Sequence, residues 1–561
     1  MTEFTAKMNT PLAVLLLIAS AATLPTSTGC AAAEDGFGVK EDGEAYVVNT
    51  GADLIFRVRR ESGGSSLRGA GDISSLQYHG IDYQDETKGS HINSGFGGLY
   101  DNQDDVTVQA AQDGDFIRIT VHAGNLIHYY MAHRGDPKIY MATWFSQEPK
   151  PGLVRFIVRV PWERLPHGPE AADLHGTDNH PIEAHDIFGR PDGQTRSKHY
   201  SNMRLKDWRY FGATGSHVGL WMVRDNNEGN SGGPFYRSLL DQGASDQELT
   251  YIINYGEGQT EPFRTGILNS YTLVFTDGNA PGLVETSWFS RMNLKGYVPS
   301  SGRGSVAGRI SQGLVPEFHY TVGFSGPSGQ YWTDVRPENG TFQCENMLPG
   351  LYRVTLYKNE LEVAWSTAAV SARQEVSLNG LSPDDPEADP ALWRIGHWDG
   401  SPQEFLNGDK ITTMHPSDIR MAPWTTSPFV IGRSSTHRDF PAYQWIDVNN
   451  DRHIRFSLPE APSSDLILRV GITDSAFHGR PSPSINGWEA KATDASKQPT
   501  SRTLTVGTYR GNNVTYRFII PADVLHKGEN DLTLRVISGS QGIGFLSPGI
   551  SYDAVDLIPG K

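Results

Sequence analysis

The chemistry-bearing residues of this chain gather in three polar segments. The first runs Gly193-Gln194-Thr195-Arg196-Ser197-Lys198-His199-Tyr200-Ser201-Asn202, followed by Leu205-Lys206-Asp207-Trp208. The second is Glu228-Gly229-Asn230-Ser231-Gly232-Gly233-Pro234-Phe235-Tyr236-Arg237, and the third is Asn254-Tyr255-Gly256-Glu257-Gly258-Gln259-Thr260-Glu261-Pro262-Phe263-Arg264. In the first, a cation such as Arg196 beside Lys198 would lower the ammonium pKa and free an amine to act as a base. On spacing alone, however, a Lys there is an ordinary solvated side chain. Tyr251 and Tyr255 bracket the strand leading into the third segment, and Tyr200 and Trp208 flank the Lys. Each is either a sugar-stacking ring or a core aromatic with a wet polar tip. His175, His180 and His185 stand five apart among Asp173, Asp178, Glu183 and Asp186, a spacing that fits one face of neither a helix nor a strand. A loop lending donors to an anionic ligand suits them better than a metal site. Ser231 is read not as a nucleophile but as part of a flexible Gly-rich turn that presents its backbone.

The elements that must carry these residues are strands. Of 561 residues, 60 are Gly and 34 are Pro, residues that turns need and helix interiors reject. Alternating or apolar runs at Leu54-Arg59, Phe116-His122, Leu126-Ala132, Leu153-Val160, Val218-Val223, Leu249-Tyr255 and Tyr271-Phe275 predict one large antiparallel sandwich over residues 34–301. A Pro-Ser-Ser-Gly-Arg-Gly seam precedes a small β-sandwich of fibronectin-like size over 302–381. The acidic Leu381-Pro390 stretch reads as a linker, and 391–561 as a jelly roll. Before residue 34, the apolar run Pro11-Leu24 with Ala19-Ser20-Ala21 predicts a signal peptide and a secreted protein. The run is short for a membrane span, so no membrane association is expected. Lys+Arg 48 against Asp+Glu 64 gives a net charge of -16, which leaves no broad basic surface for nucleic acid. With two cysteines, one in the processed end, Cys344 is expected to be a buried small hydrophobe, and large cores must supply the stability.

Taken together, the three polar segments closely resemble polysaccharide lyase family 4, the rhamnogalacturonan lyases. The resemblance implies an all-β chain with a catalytic β-super-sandwich, a fibronectin III-like sandwich and a C-terminal carbohydrate-binding-module-like jelly roll. It also implies β-elimination on the pectic rhamnogalacturonan I backbone, opening the bond from rhamnose to the 4-position of galacturonic acid. That chemistry needs the C6 carboxylate neutralised, the C5 proton removed and the leaving oxygen assisted. The family places its essential Lys in a motif of this type, which marks Lys198 as the base. It carries a carboxylate-binding Arg on a strand near Arg155; Arg159 has the same strand parity. Arg196, His199, Tyr200, Tyr251 and Tyr255 are the remaining substrate-binding candidates.

One departure stands out. Fungal members carry their second catalytic residue as a His in a Gly-His-x-Gln-Thr-Glu run, whereas here the register reads Gly256-Glu257-Gly258-Gln259-Thr260-Glu261. Three readings follow: Glu257 supports Lys198 while His199 or another cleft His supplies the imidazole, Glu257 itself is a base with a raised pKa, or the change marks altered specificity or lost activity. A lyase for another rhamnose-linked or uronate polysaccharide and a catalytically degenerate carbohydrate-binding protein are the corresponding alternatives. In the last strand, Tyr552-Asp553-Ala554-Val555-Asp556-Leu557 alternates acid and apolar residues as many carbohydrate-binding jelly rolls do, which makes Asp553 and Asp556 candidates for a structural calcium. No cofactor is expected for catalysis, and a monomer is expected.

Overall fold

The computed structural model describes residues 36–561, except 63–68, 102–104, 151, 178–179, 256–260, 496–497, 499–501, 509–511 and 561. The apolar N-terminal segment, Asp178 and Glu257 therefore lie outside the described residues, as does the side chain of Tyr255.

Period-two burial builds the N-terminal region. In Leu153–Pro161, Val154, Phe156, Val158 and Val160 are fully buried in the main core, while Arg155, Ile157 and Arg159 occupy the opposite face. Three antiparallel sheets enclose that core. One is a five-stranded meander from Gly38 to Asp82. The second has seven strands, in the order Tyr210–Gly215, Val218–Arg224, Asn269–Thr276, Lys138–Phe145, Leu126–His133, Phe116–Ala123, Thr107–Asp113. The third has four: Asp241–Gly243, Asp246–Tyr255, Leu153–Pro161, His91–Ile92. A small sheet, Pro181–Glu183, Ile187–Gly189 and Thr195–Ser197, is folded from what reads in sequence as a long loop.

The middle region packs a three-stranded sheet on a four-stranded one around Val322, Phe324, Tyr352, Val354 and Leu356. Cys344 is buried in this core as a free thiol, with its pKa pushed up to about 12 by burial. The C-terminal region is two five-stranded sheets around Trp393, Trp424, Tyr443 and Trp445. Trp398 and Ala554 of that region lie in the core of the middle one, so the two share apolar packing. The acidic segment between them is a fixed strap. Buried Lys358 holds Asp385 at 2.7 Å and Glu387 at 2.8 Å, and Arg469 holds Asp389 at 2.7 Å. Acidic composition alone does not show that buried cations await it.

No helix among the described residues is long and apolar enough to cross a membrane.

Candidate active site

The Lys198 turn begins where Thr195–Ser197 ends. Ser197 Oγ accepts from His199 N at 3.0 Å, capping the 3-10 turn Lys198–Ser201. Lys198 N donates to Asp186 O at 3.1 Å, tying the turn to the neighbouring hairpin. The Lys198 side chain is 27% exposed, and its Nζ lies 3.5 Å from Asp186 Oδ1, while His199 Nε2 lies 3.8 Å from Asp186 Oδ2. One carboxylate thus faces both the amine and the imidazole. Asp186 is in turn held by Arg502 Nη1 at 2.8 Å, and Arg502 Nε reaches Glu183 at 2.8 Å. Burial raises the Asp186 pKa, but His199 and Arg502 outweigh it and hold the carboxyl well below its usual range.

Arg502 comes from the C-terminal region, and it is not alone. Asp418 Oδ2 accepts from Thr195 N at 2.7 Å and from Thr195 Oγ1 at 2.9 Å, and His415 N donates to Thr195 Oγ1 at 3.1 Å. His415 Nε2 lies 3.5 Å from Glu183. Burial raises the Asp418 pKa, yet Arg420 and the hydrogen bonds from Thr195 bring it down to about 2. The frame that presents Lys198 is therefore built by two regions of the chain. Sequence reading missed Asp186, Asp418 and Arg502. Only the acid-and-His loop around Asp186 hinted at a site, and nothing around Arg502 did.

Several expected site residues stand elsewhere. Arg196 is buried, donates to Thr195 O at 3.0 Å and lies 3.6 Å from Glu170. The charged partner beside the Lys198 amine is Asp186, not Arg196. Tyr200 is buried, so its ring is no sugar platform. Tyr251 is 1% exposed, pairs opposite Phe156 on the core face and stacks on Tyr271 at 4.2 Å. It is a core tyrosine, with its hydroxyl donating to Asn226 O at 3.3 Å. Trp208 is likewise core, with the Arg224 guanidinium 4.5 Å from its ring.

Arg155 is half-buried on the outward face, opposite Ile252. Arg159 shares that face but is locked by Glu248 at 3.0 Å, Gly89 O at 2.8 Å and His91 at 3.0 Å, which makes it structural. A β-bulge separates Val154 and Arg155 from a simple register, and Tyr255 ends its strand opposite Leu153. Asn230 Nδ2 caps the bulge carbonyls, Ile252 O at 2.8 Å and Ile253 O at 2.9 Å. Glu261 accepts from Gly232 N at 2.6 Å and from Ser325 Oγ at 2.7 Å, while Arg264 Nε donates to Gly326 O at 2.9 Å. The second and third polar segments thus shape the strand end before Glu257 and join it to the middle region.

The calcium expectation at Asp556 does not hold. Its oxygens accept from Arg469 at 2.8 and 2.6 Å, Arg394 at 3.0 Å and Trp398 Nε1 at 2.9 Å, so two guanidiniums already occupy the positions a cation would need. Asp553 accepts from Gly400 N at 2.6 Å and Asp399 N at 3.2 Å, and burial among acids pushes its pKa well up. Among the described residues no group of three or more His, Cys, Asp or Glu is arranged to hold a metal ion.

Comparison with known proteins agrees with the geometry along the chain. Residues 37–296 match the model for "Rhamnogalacturonan lyase B, N-terminal", 302–378 that for "Polysaccharide lyase family 4, domain II", and 391–557 that for "Polysaccharide lyase family 4, domain III". The chain is 38% identical to "Probable rhamnogalacturonate lyase A" of Aspergillus clavatus, over 93% of this chain and 96% of that one. It is 37% identical to "Rhamnogalacturonate lyase A" of Emericella nidulans, over 94% and 96%. The protein of that name in Aspergillus aculeatus is 36% identical, over 94% and 97%. Matching that family over all three of its regions, the chain belongs to polysaccharide lyase family 4.

Proposed function

We infer that the chain is a rhamnogalacturonan lyase that acts on pectic polysaccharide by β-elimination. The observation that carries the mechanistic reading is the Lys198 amine, partly exposed and facing an Asp186 carboxylate that Arg502 and His199 share. Arg502 approaches Asp186 at 2.8 Å and Lys198 only at 3.5 Å, so the amine is the more loosely held partner and is placed to turn toward a substrate. In this reading Arg155 neutralises the galacturonate carboxylate, which makes the C5 proton acidic. Lys198 takes that proton, the electron pair forms the C4=C5 double bond, and the C4–O bond breaks. The oxygen leaves with rhamnose and takes a proton, for which His199 is the imidazole beside the base. Glu257, two residues beyond Tyr255 in sequence, stands in the register where fungal members carry a His, and we assign it a supporting role.

Arg155 supplies the positive charge that the carboxylate needs, so this reading requires no metal. The apolar segment before residue 34 supports secretion, and the protein is proposed to act as a monomer outside the cell. The test is the ultraviolet absorbance of the unsaturated uronate as enzyme meets debranched rhamnogalacturonan. A rise with wild type supports the lyase reading. Binding of the polymer with no rise would leave a carbohydrate-binding protein instead.

A further inference from the structure

The turn that carries the chain from Leu466–Ala476 in one C-terminal sheet to Arg480–Ile485 in the other is built on Phe477 and His478, whose φ angles are 51° and 61°. Gly479 N closes it by donating to Ala476 O at 3.0 Å. Two consecutive left-handed residues suit Asn-Gly, whereas the Cβ of Phe or His crowds the following carbonyl. The surroundings enforce the turn. Arg480 Nη1 donates to His478 O at 3.2 Å and to Ser538 O at 3.0 Å, Arg480 Nε donates to Thr493 O at 2.7 Å, and the Ser538 hydroxyl donates to Phe477 O. What this strain maintains is a Phe ring 42% exposed with an exposed imidazole beside it. Strain of this kind concentrates where ligands are held.

The turn follows the end of Leu466–Ala476 beside which the segment after Arg502 packs. Ala476 pairs with Gly549, and a Cβ on Gly549 would sit 3.3 Å from Leu504 Cδ1. Leu504 lies in the short helix Thr503–Val506, directly after the Arg502 that holds Asp186. Arg480, beneath the turn, is committed to carbonyl oxygens, so what is presented is an apolar ring with a neutral-capable donor rather than a carboxylate clamp.

We propose that Phe477 and His478 form a distal sugar-binding subsite. In it the Phe477 ring stacks on the C–H face of a neutral pyranose, such as the 6-deoxyhexose of the backbone, and His478 hydrogen-bonds to a ring hydroxyl. The sugar belongs to the same polysaccharide chain whose bond lies at Lys198, so the proposal rests on the lyase reading above.

The test pairs Phe477→Ala with the double variant Phe477→Asn/His478→Gly, which suits the turn but removes the ring. Both should raise KM for polymeric rhamnogalacturonan by about three- to tenfold, with kcat and the rates on short oligosaccharides unchanged. The double variant should also melt higher than wild type, which separates lost binding from lost folding. Polymer retention on an affinity gel, measured in a Lys198→Ala background, should weaken by the same factor. An unchanged polymer KM and retention, or an equal loss on short oligosaccharides, would overturn the subsite. Failure of the lyase reading would show differently: wild type would form no unsaturated product, while retention would still report on Phe477.

Discussion

Arg502→Ala asks whether the C-terminal region takes part in catalysis by holding Asp186. The variant removes two charge-assisted hydrogen bonds, to Asp186 and to Glu183, each 2.8 Å long. Such bonds are worth about 1.5–3 kcal/mol apiece. The Arg502 and Asp186 side chains are 35% and 29% exposed, so solvent screening brings the pair down to roughly 2 kcal/mol. Asp186 would then be free to close on Lys198 and bind the amine that should meet substrate. If half or more of that energy is expressed at the base, kcat falls by about 5- to 30-fold, at 1.4 kcal/mol per decade. The assay is the initial rate of unsaturated uronate formation across pH, with the thermal midpoint measured alongside. A carboxylate closing on the Lys198 amine favours its ammonium form, which cannot take the C5 proton, so the acid limb of the profile should move to higher pH in the variant. Arg502→Lys should restore part of the rate, since a point charge replaces a fork. A kcat within twofold of wild type and an unmoved acid limb would refute the idea that the jelly roll positions the base.

Three further outcomes follow from the same geometry. Asp556→Asn should cost about 3–5 kcal/mol, visible in chemical denaturation with or without calcium, because it strips the carboxylate from fully buried Arg469. Chelation of divalent metals should leave both stability and rate unchanged. Tyr251→Phe should cost about 1 kcal/mol through the lost bond to Asn226 O and leave KM for polymer unaltered, since the ring lies in the core. Asp418 has its folded pKa depressed from 3.8 to about 2, so its contribution is complete above the ordinary value and disappears as pH falls through about 2. Glu183 shifts in the same direction. Acid titration should therefore loosen the contact around Thr195, and proteolysis between residues 193 and 204 should accelerate at acid pH.

The all-β architecture was legible because period-two apolar runs and turn residues are local signals, and Leu54–Arg59 and Leu153–Pro161 carry them plainly. Lys198 was legible as a motif, but its partners were not. Asp186 and Arg502 stand 316 residues apart in sequence, and no local pattern joins them. Alternation left the role of Tyr251 open, since it says which residues share a face but not which face meets the core; the bulge after Ile252 also breaks the alternation before Tyr255. The acid-apolar alternation around Asp556 was read as a cation site because the cations that satisfy it, Arg394 and Arg469, lie on neighbouring strands. The acidic strap at 381–390 misled in the same way, its partner Lys358 being buried in the middle region.

The central claim is that Lys198 removes the C5 proton, and the rate of unsaturated uronate formation by Lys198→Ala tests it most directly. The account predicts a fall of about a thousandfold or more, with polymer retention and thermal midpoint as in wild type. A Lys198→Ala protein that still forms the unsaturated product within tenfold of the wild-type rate would contradict it and move the base elsewhere.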